Sequence, residues 1–164
     1  MPGHDSTPGY RAAAIVLAPL LMVQGLYVRL VTPRLPEPSG ARSGVCGSGP
    51  PLSLLILGDS AAAGVGVMTQ DEALSGRLAA VLGSQFRVSW KLMARTGNRA
   101  KDIVSMLAAA SPERFDAVVT SIGVNDVTHG TGLGAWIDQQ GRIAELLRAK
   151  FQVRHVILSG VPPM

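Results

Sequence analysis

Three observations predict an α/β fold built on a parallel sheet. Short apolar segments recur four times, at Leu52–Leu57, Val88–Leu92, Ala117–Ile122 and Val156–Leu158. Segments with apolar residues at helical spacing lie between them. Each apolar segment also ends in a turn-forming break: Gly58-Asp59-Ser60, Arg95-Thr96-Gly97-Asn98, Gly123-Val124-Asn125-Asp126 and Ser159-Gly160-Val161-Pro162-Pro163. Strands that alternate with helices are joined by crossovers, which makes them parallel and right-handed in their connections.

The elements follow in chain order. Ala12–Val28 is an uncharged run between Arg11 and Arg29, and its seventeen residues would reach roughly 25 Å as a helix, near the lower limit for spanning a bilayer. It is long for the core of a signal peptide, and only the poor site Val23-Gln24-Gly25 offers cleavage. Residues 1–31 are therefore expected to be a tail and a membrane anchor, with a cleaved export signal as the alternative. Arg29, Arg34 and Arg42 outnumber Arg11, which leans toward a cytoplasmic domain without settling the side. Residues 32–51 carry five prolines among Gly and Ser and read as an extended linker. The folded domain is expected over residues 52–164.

Leu52–Leu57 has the composition of a strand buried on both faces. Thr69-Gln70-Asp71-Glu72 spells a capping box, with Thr69 as N-cap, and Leu74, Leu78, Val81 and Leu82 give the stripe of a helix stopped by Gly83. Val88, Trp90 and Leu92 alternate with Ser89, Lys91 and Met93, which predicts an edge strand in which Trp90 packs. Ile103, Met106, Leu107 and Ala110 mark the next helix, ended before Pro112. Trp136–Lys150 reads as a helix with Ile143, Leu146 and Leu147 inward.

Composition excludes several functions. The chain is 47% hydrophobic and 16% charged, so it is neither a disordered tail nor a charged coiled coil. Its net charge of +4 splits evenly, with four cations against Asp5 and Glu37 ahead of the domain and eleven cations against nine acids from Cys46 onward, a nearly balanced surface. With few aromatics to stack bases, no nucleic-acid partner is expected. Cys46 is the single cysteine, which builds neither a disulfide nor a zinc site. No Gly-Lys-Ser/Thr phosphate loop occurs, and Gly64-Val65-Gly66-Val67-Met68-Thr69 lacks the third glycine of a dinucleotide fingerprint.

The chemistry points to one sheet edge. In a parallel sheet, the loops after successive strands share the carboxyl edge, where ligands bind. The first three loops deliver Ser60, Gly97 and Asn125. Gly-Asp-Ser is also ordinary turn chemistry, and Asn125 or Gly97 alone carries little. Together they supply a hydroxyl nucleophile and donors for a developing oxyanion: the Gly97 N–H, the Asn125 amide and the Ser60 N–H.

On these blocks the sequence resembles the SGNH hydrolases, the GDSL-type esterases and lipases, from about Leu52 to the last residue. Gly58-Asp59-Ser60, Gly97 and Gly123-x-Asn125-Asp126 are similar to the first three family blocks. The resemblance implies a flavodoxin-like, three-layer sheet in the order 2-1-3-4-5. It also implies Ser60 as nucleophile, an oxyanion hole of Ser60, Gly97 and Asn125, ester or thioester substrates, and no metal or organic cofactor. Asp59, Asp126 and His129 fall beside this site as pocket candidates.

The family's general base sits in a late Asp-x-x-His block, and no such block follows the fourth strand. Asp126-Val127-Thr128-His129 has the right spelling in the wrong place. His155 opens the fourth strand, roughly 16 Å from the working edge at 3.3 Å per residue, and His4 precedes the anchor. The expectation is a chain that lacks the last strand, last helix and base, with Ser60 weakly activated and Val156–Leu158 an association-prone edge. A membrane-tethered binding module without turnover is the alternative, and an acyltransferase on the same site is a third reading.

Overall fold

A computed structural model of the chain describes residues 8–160, without the side chains of residues 8–14 and Arg29. His4 and the Val161-Pro162-Pro163 break lie outside the described residues. The chain divides into two units after Leu35.

The first unit contains α1 (Pro8–Val31), a helix of 24 residues with Pro19 inside it. Its described apolar side chains, among them Ile15, Leu20, Met22 and Leu30, are exposed. Among the described residues, no helix is long and apolar enough to cross a membrane. The anchor expected at Ala12–Val28 therefore finds no support; Pro19, Gln24 and Gly25 interrupt that apolar run.

The second unit is an α/β/α layered domain. Its strands are β1 (Ser43–Cys46), β2 (Pro51–Gly58), β3 (Arg87–Ala94), β4 (Ala117–Ser121) and β5 (His155–Leu158). They form one sheet in the order β1-β3-β2-β4-β5. The four strands from β2 onward are parallel, and β3-β2-β4-β5 reproduces the first four places of the expected order. Two short helices, α2 (Ser60–Ala63) and α5 (Val124–Thr128), follow strand ends. The longer helices are α3 (Leu74–Gly83), α4 (Ala100–Ala109) and α6 (Leu133–Ala149).

The centre of the sheet is β2, because Leu54, Leu55, Ile56 and Leu57 are all buried. Side chains alternate across a strand, so this run feeds both layers. Leu55 and Leu57 pack with Ile103, Leu107, Ile143 and Leu147 of α4 and α6. Leu54 and Ile56 pack with Ala62, Ala63, Val88 and Leu92 on the α2 and α3 side. Each buried Leu, Ile or Val among them stabilises the fold by about 1.5–3 kcal/mol. Phe115 and Phe151 stack at 6.3 Å between ring centroids and close the bottom of the α4–α6 layer.

Three local expectations are corrected. The segment 36–51, read as a linker, belongs to the domain: β1 pairs antiparallel with β3, so β3 is an interior strand. Gly44 permits this pairing, since a Cβ there would lie 3.0 Å from the Trp90 indole nitrogen. Trp90 is half-buried and packs as expected. The capping box does not open α3, which starts at Leu74 after Ala73 with no side-chain cap. Glu72 reaches back to the Met68 N–H instead, and buried Gln70 ties Ser75 to the Ala63 carbonyl. The helix runs through Gly83, with Ser84 as its cap. Finally, the break at Gly123–Asp126 is the start of helix α5, and α6 starts one turn ahead of Trp136.

The β5 edge is the exposed side of the sheet. Ile157 and Leu158 are 55% and 68% accessible, and on the face of Val156 and Leu158 an apolar groove of about 200 Å³ runs along α6. An uncovered apolar edge is a template for association. Light scattering of the purified chain is expected to show concentration-dependent association that Ile157→Lys suppresses. Equal association of parent and variant would exonerate this edge.

Candidate active site

The working rim is set by strand register. Gly58 of β2 is directly opposite Ala94 of β3 and Ser121 of β4. The three strands therefore end level, about 4.8 Å apart, and Ser60, Gly97 and Asn125 follow two, three and four residues beyond those ends. Gly58 has to be glycine, because a Cβ would lie 2.3 Å from the Ser121 carbonyl oxygen and 2.7 Å from Ala62.

Hydrogen bonds lace the three loops together. The Asp59 N–H donates to the Ser121 carbonyl at 3.1 Å, and the Arg95 N–H donates to the Gly58 carbonyl at 3.2 Å. Asn98 donates its Nδ2 to the same Gly58 carbonyl at 3.2 Å and accepts Nδ2 of Asn125 on its own carbonyl at 3.0 Å. The Ser60 loop, the Gly97 loop and the Asn125 loop thus share one chain of donors and acceptors. Asn98, the central link, was not singled out in the sequence; an asparagine directly after Gly97 in a turn was the available signal.

Ser60 opens α2 and is half-exposed. Among the described residues its hydroxyl has no hydrogen-bond partner, either base or carboxylate. Gly97 is exposed with φ +85°, and nothing lies within 4 Å of where its Cβ would be. Only glycine adopts that backbone at low cost, and the surrounding space leaves its N–H unshielded. Asn125 uses one amide hydrogen on Asn98 and keeps the second.

Two carboxylates are buried beneath this surface. Asp59 is 3% accessible, and its Oδ1 accepts the Ala61 N–H at 3.0 Å, capping α2. Burial pushes the Asp59 carboxyl above its ordinary range; the Ala61 and Asp59 N–H groups oppose the shift, and the charge of Asp126 adds to it. Asp126 is 2% accessible, and its Oδ2 accepts the Ala100 N–H at 2.9 Å, capping the start of α4. Its Oδ1 has no partner among the described residues. Asp126 also borders a largely apolar cleft of about 280 Å³, formed with Gly123, Val127, Thr131, Leu133 and Trp136. Neither Asp59 nor His129 lines that cleft. His129 is exposed and turned back on its own helix, with Nδ1 2.8 Å from the Asn125 carbonyl and 3.3 Å from Thr128 Oγ1. His155 stands at the far end of β5, away from the rim.

The raised Asp59 titration has a sign. A carboxyl whose native pKa lies above its unfolded value contributes stability below the unfolded pKa, and that contribution is lost as pH rises through the native pKa. Ionised Asp59 is thus a cost at neutral pH. Asn keeps an oxygen for the Ala61 N–H and carries no charge. Asp59→Asn is expected to melt at or above the parent's temperature at pH 7, with the gap closing below the native pKa. A lower melting temperature at pH 7 would contradict this account.

A parallel α/β sheet with a serine, an exposed glycine and a carboxamide loop laced at its carboxyl rim defines a protein of the ligand-binding α/β class. The comparisons narrow the class: the chain belongs to the GDSL-like lipase/acylhydrolase family, whose profile matches residues 56–164. Among solved structures, the chain is similar to that of TesA, with 23% identity and a TM-score of 0.58, covering 66% of this chain and 60% of that one. It is also similar to a mutant of the esterase AlinE4, with 21% identity and a TM-score of 0.59, covering 71% of this chain and 64% of that one. The chain therefore spans under two thirds of either structure, and at these identities the likeness is one of fold. No curated protein sequence matches the chain.

Proposed function

We propose that this chain is a serine esterase domain acting on carboxylic esters or thioesters of small molecules, with Ser60 as nucleophile. The observation that carries the reading is the lacing of three loops through Gly58, Asn98 and Asn125, in a chain of an acylhydrolase family. In this reading Ser60 Oγ bonds to the ester carbonyl carbon and gives its proton to a base. The carbonyl oxygen takes the negative charge and is met by the N–H groups of Gly97 and Ser60 and the free amide hydrogen of Asn125. The intermediate collapses with loss of the alcohol or thiol, which takes up a proton, and water then releases the acid from the acyl-serine.

The same reading holds turnover low in this polypeptide. No base is bonded to Ser60 among the described residues, and an unassisted serine hydroxyl is a weak nucleophile. Loss of one triad member costs roughly 10⁴–10⁶ in turnover, with the oxyanion site and binding left to act. A fluorophosphonate probe tests the proposal. Slow labelling mapped to Ser60, accelerated by added imidazole, is expected. Ligand binding with no labelling under either condition would favour a non-catalytic module on the same fold.

A further inference from the structure

The loop that carries Gly97 is exposed at Arg95, Thr96 and Gly97, yet an oxyanion donor has to be fixed before the charge develops. Its inner side is tied to Gly58 and Asn125, as described above. Its outer side is held by residues that lie 50 to 60 positions earlier in the sequence. Glu37 Oε1 accepts the Thr96 N–H at 2.7 Å and the Thr96 hydroxyl at 2.9 Å. Glu37 Oε2 pairs with Arg42 Nη1 at 2.8 Å, and Arg42 Nη2 donates to the Ala94 carbonyl, where β3 ends. One carboxylate and one guanidinium therefore bracket residues 94–96, immediately ahead of Gly97.

The bracket is itself anchored. Pro38 is buried, and it approaches Gly64 at the end of α2 so closely that a Cβ on that glycine would lie 3.0 Å from Pro38 Cγ. The Ser39 N–H donates to the Met68 carbonyl at 3.2 Å, and the Ser39 carbonyl accepts the Gln70 N–H at 2.8 Å. The Arg42 carbonyl accepts the Leu92 N–H at 2.7 Å. Residues 37–42 thus brace both the Ser60 side and the Gly97 side of the rim. Partial burial disfavours the Glu37 charge, but the two Thr96 donors and Arg42 outweigh it and hold Glu37 below its ordinary range. The Glu37 carboxylate is therefore charged across the neutral range.

We infer that Glu37, locked by Arg42, is a positioning residue that sets the direction of the Gly97 N–H. The inference rests on the esterase reading, because that reading is what gives the Gly97 N–H an oxyanion to meet. Glu37 touches no substrate; it acts through Thr96.

The test compares Glu37→Ala, Glu37→Gln and Ser60→Ala with the parent, using p-nitrophenyl acetate hydrolysis in the presence of imidazole. Misplacing one donor is expected to lower the Ser60-dependent kcat about tenfold in Glu37→Ala, short of the ~10²–10³ for deleting a donor, with KM within twofold. Glu37→Gln keeps an acceptor for Thr96 and is expected to recover most of the rate. Amide exchange of Thr96 and Asn98, whose N–H groups are bonded to Glu37 and to the Arg95 carbonyl, is expected to quicken in Glu37→Ala while the strand amides of β2 and β4 stay protected, which separates local loosening from misfolding. A Glu37→Ala variant with parental kcat would overturn the inference and leave the esterase reading standing. Equal rates for parent and Ser60→Ala would overturn the esterase reading, and the inference with it.

Discussion

Ser60→Ala is expected to abolish covalent labelling by a fluorophosphonate and to reduce imidazole-assisted ester hydrolysis to the rate without protein. The substitution removes the only atom able to form the acyl-enzyme in this scheme, so no residual pathway through the serine survives. In serine hydrolases whose nucleophile is bonded to a base, this loss is about 10⁶ in kcat. Here the measurable fall is limited by how far imidazole raises the parent. The variant also separates chemistry from folding. The Ser60 hydroxyl has no hydrogen-bond partner among the described residues, so its removal strands no buried group. Alanine is a good helical residue at the first position of α2, and Asp59 still caps the turn through the Ala61 N–H. The melting temperature should move by no more than an ordinary surface substitution allows, about 0.5 kcal/mol. Labelling that persists in Ser60→Ala would place the nucleophile elsewhere.

The parts of this site that were legible in the sequence are those fixed by local pattern and sheet logic. The apolar run Leu54–Leu57 can be continuous only if both faces are covered, which makes β2 central and sends its following loop to the carboxyl rim. Strand alternation with helices then brings the Gly97 and Asn125 loops to the same rim without any knowledge of side-chain contacts. What stayed hidden depends on long-range pairing. Ser43–Cys46 is too short, and its surroundings too rich in Gly and Ser, to show as a strand. It becomes one because β3 offers it an edge and Trp90 packs over Gly44. Glu37 has no local signature at all, since its partner Thr96 is 59 residues away. The apparent capping box at Thr69 misled for a different reason. Buried Gln70 bonds nearby Ser75 and Ala63 and Glu72 turns back to the Met68 N–H, and these competing local bonds replace the cap. Asp126-Val127-Thr128-His129 reads as a catalytic pair only on paper, because the fold buries the aspartate under α4 and turns the histidine back on α5.

Asn125→Ala is expected to lower the Ser60-dependent kcat by about 10²–10³, the typical effect of removing an oxyanion donor, with little change in KM. In the proposed reading the amide does two jobs. One hydrogen latches the α5 loop to the Asn98 carbonyl at 3.0 Å, and the other is free to meet charge that develops at the rim. Losing the latch alone costs about 1 kcal/mol of stability, which a modest fall in melting temperature would register. A latch role by itself loosens the loop and spreads the loss between KM and kcat, whereas an oxyanion role falls on kcat. Asn125→Asp sharpens the distinction, because it keeps the side-chain shape while replacing the donor NH2 group with an acceptor oxygen. The new carboxylate faces the Asn98 carbonyl and the forming oxyanion alike, so kcat should fall further than in Asn125→Ala. Weaker inhibition of the alanine variant by a boronic acid, which forms a tetrahedral adduct on serine, would locate the effect at the charged oxygen. If Asn125→Ala keeps both kcat and boronate affinity while melting lower, the amide is a latch and the oxyanion hole lies with the backbone N–H groups of Ser60 and Gly97.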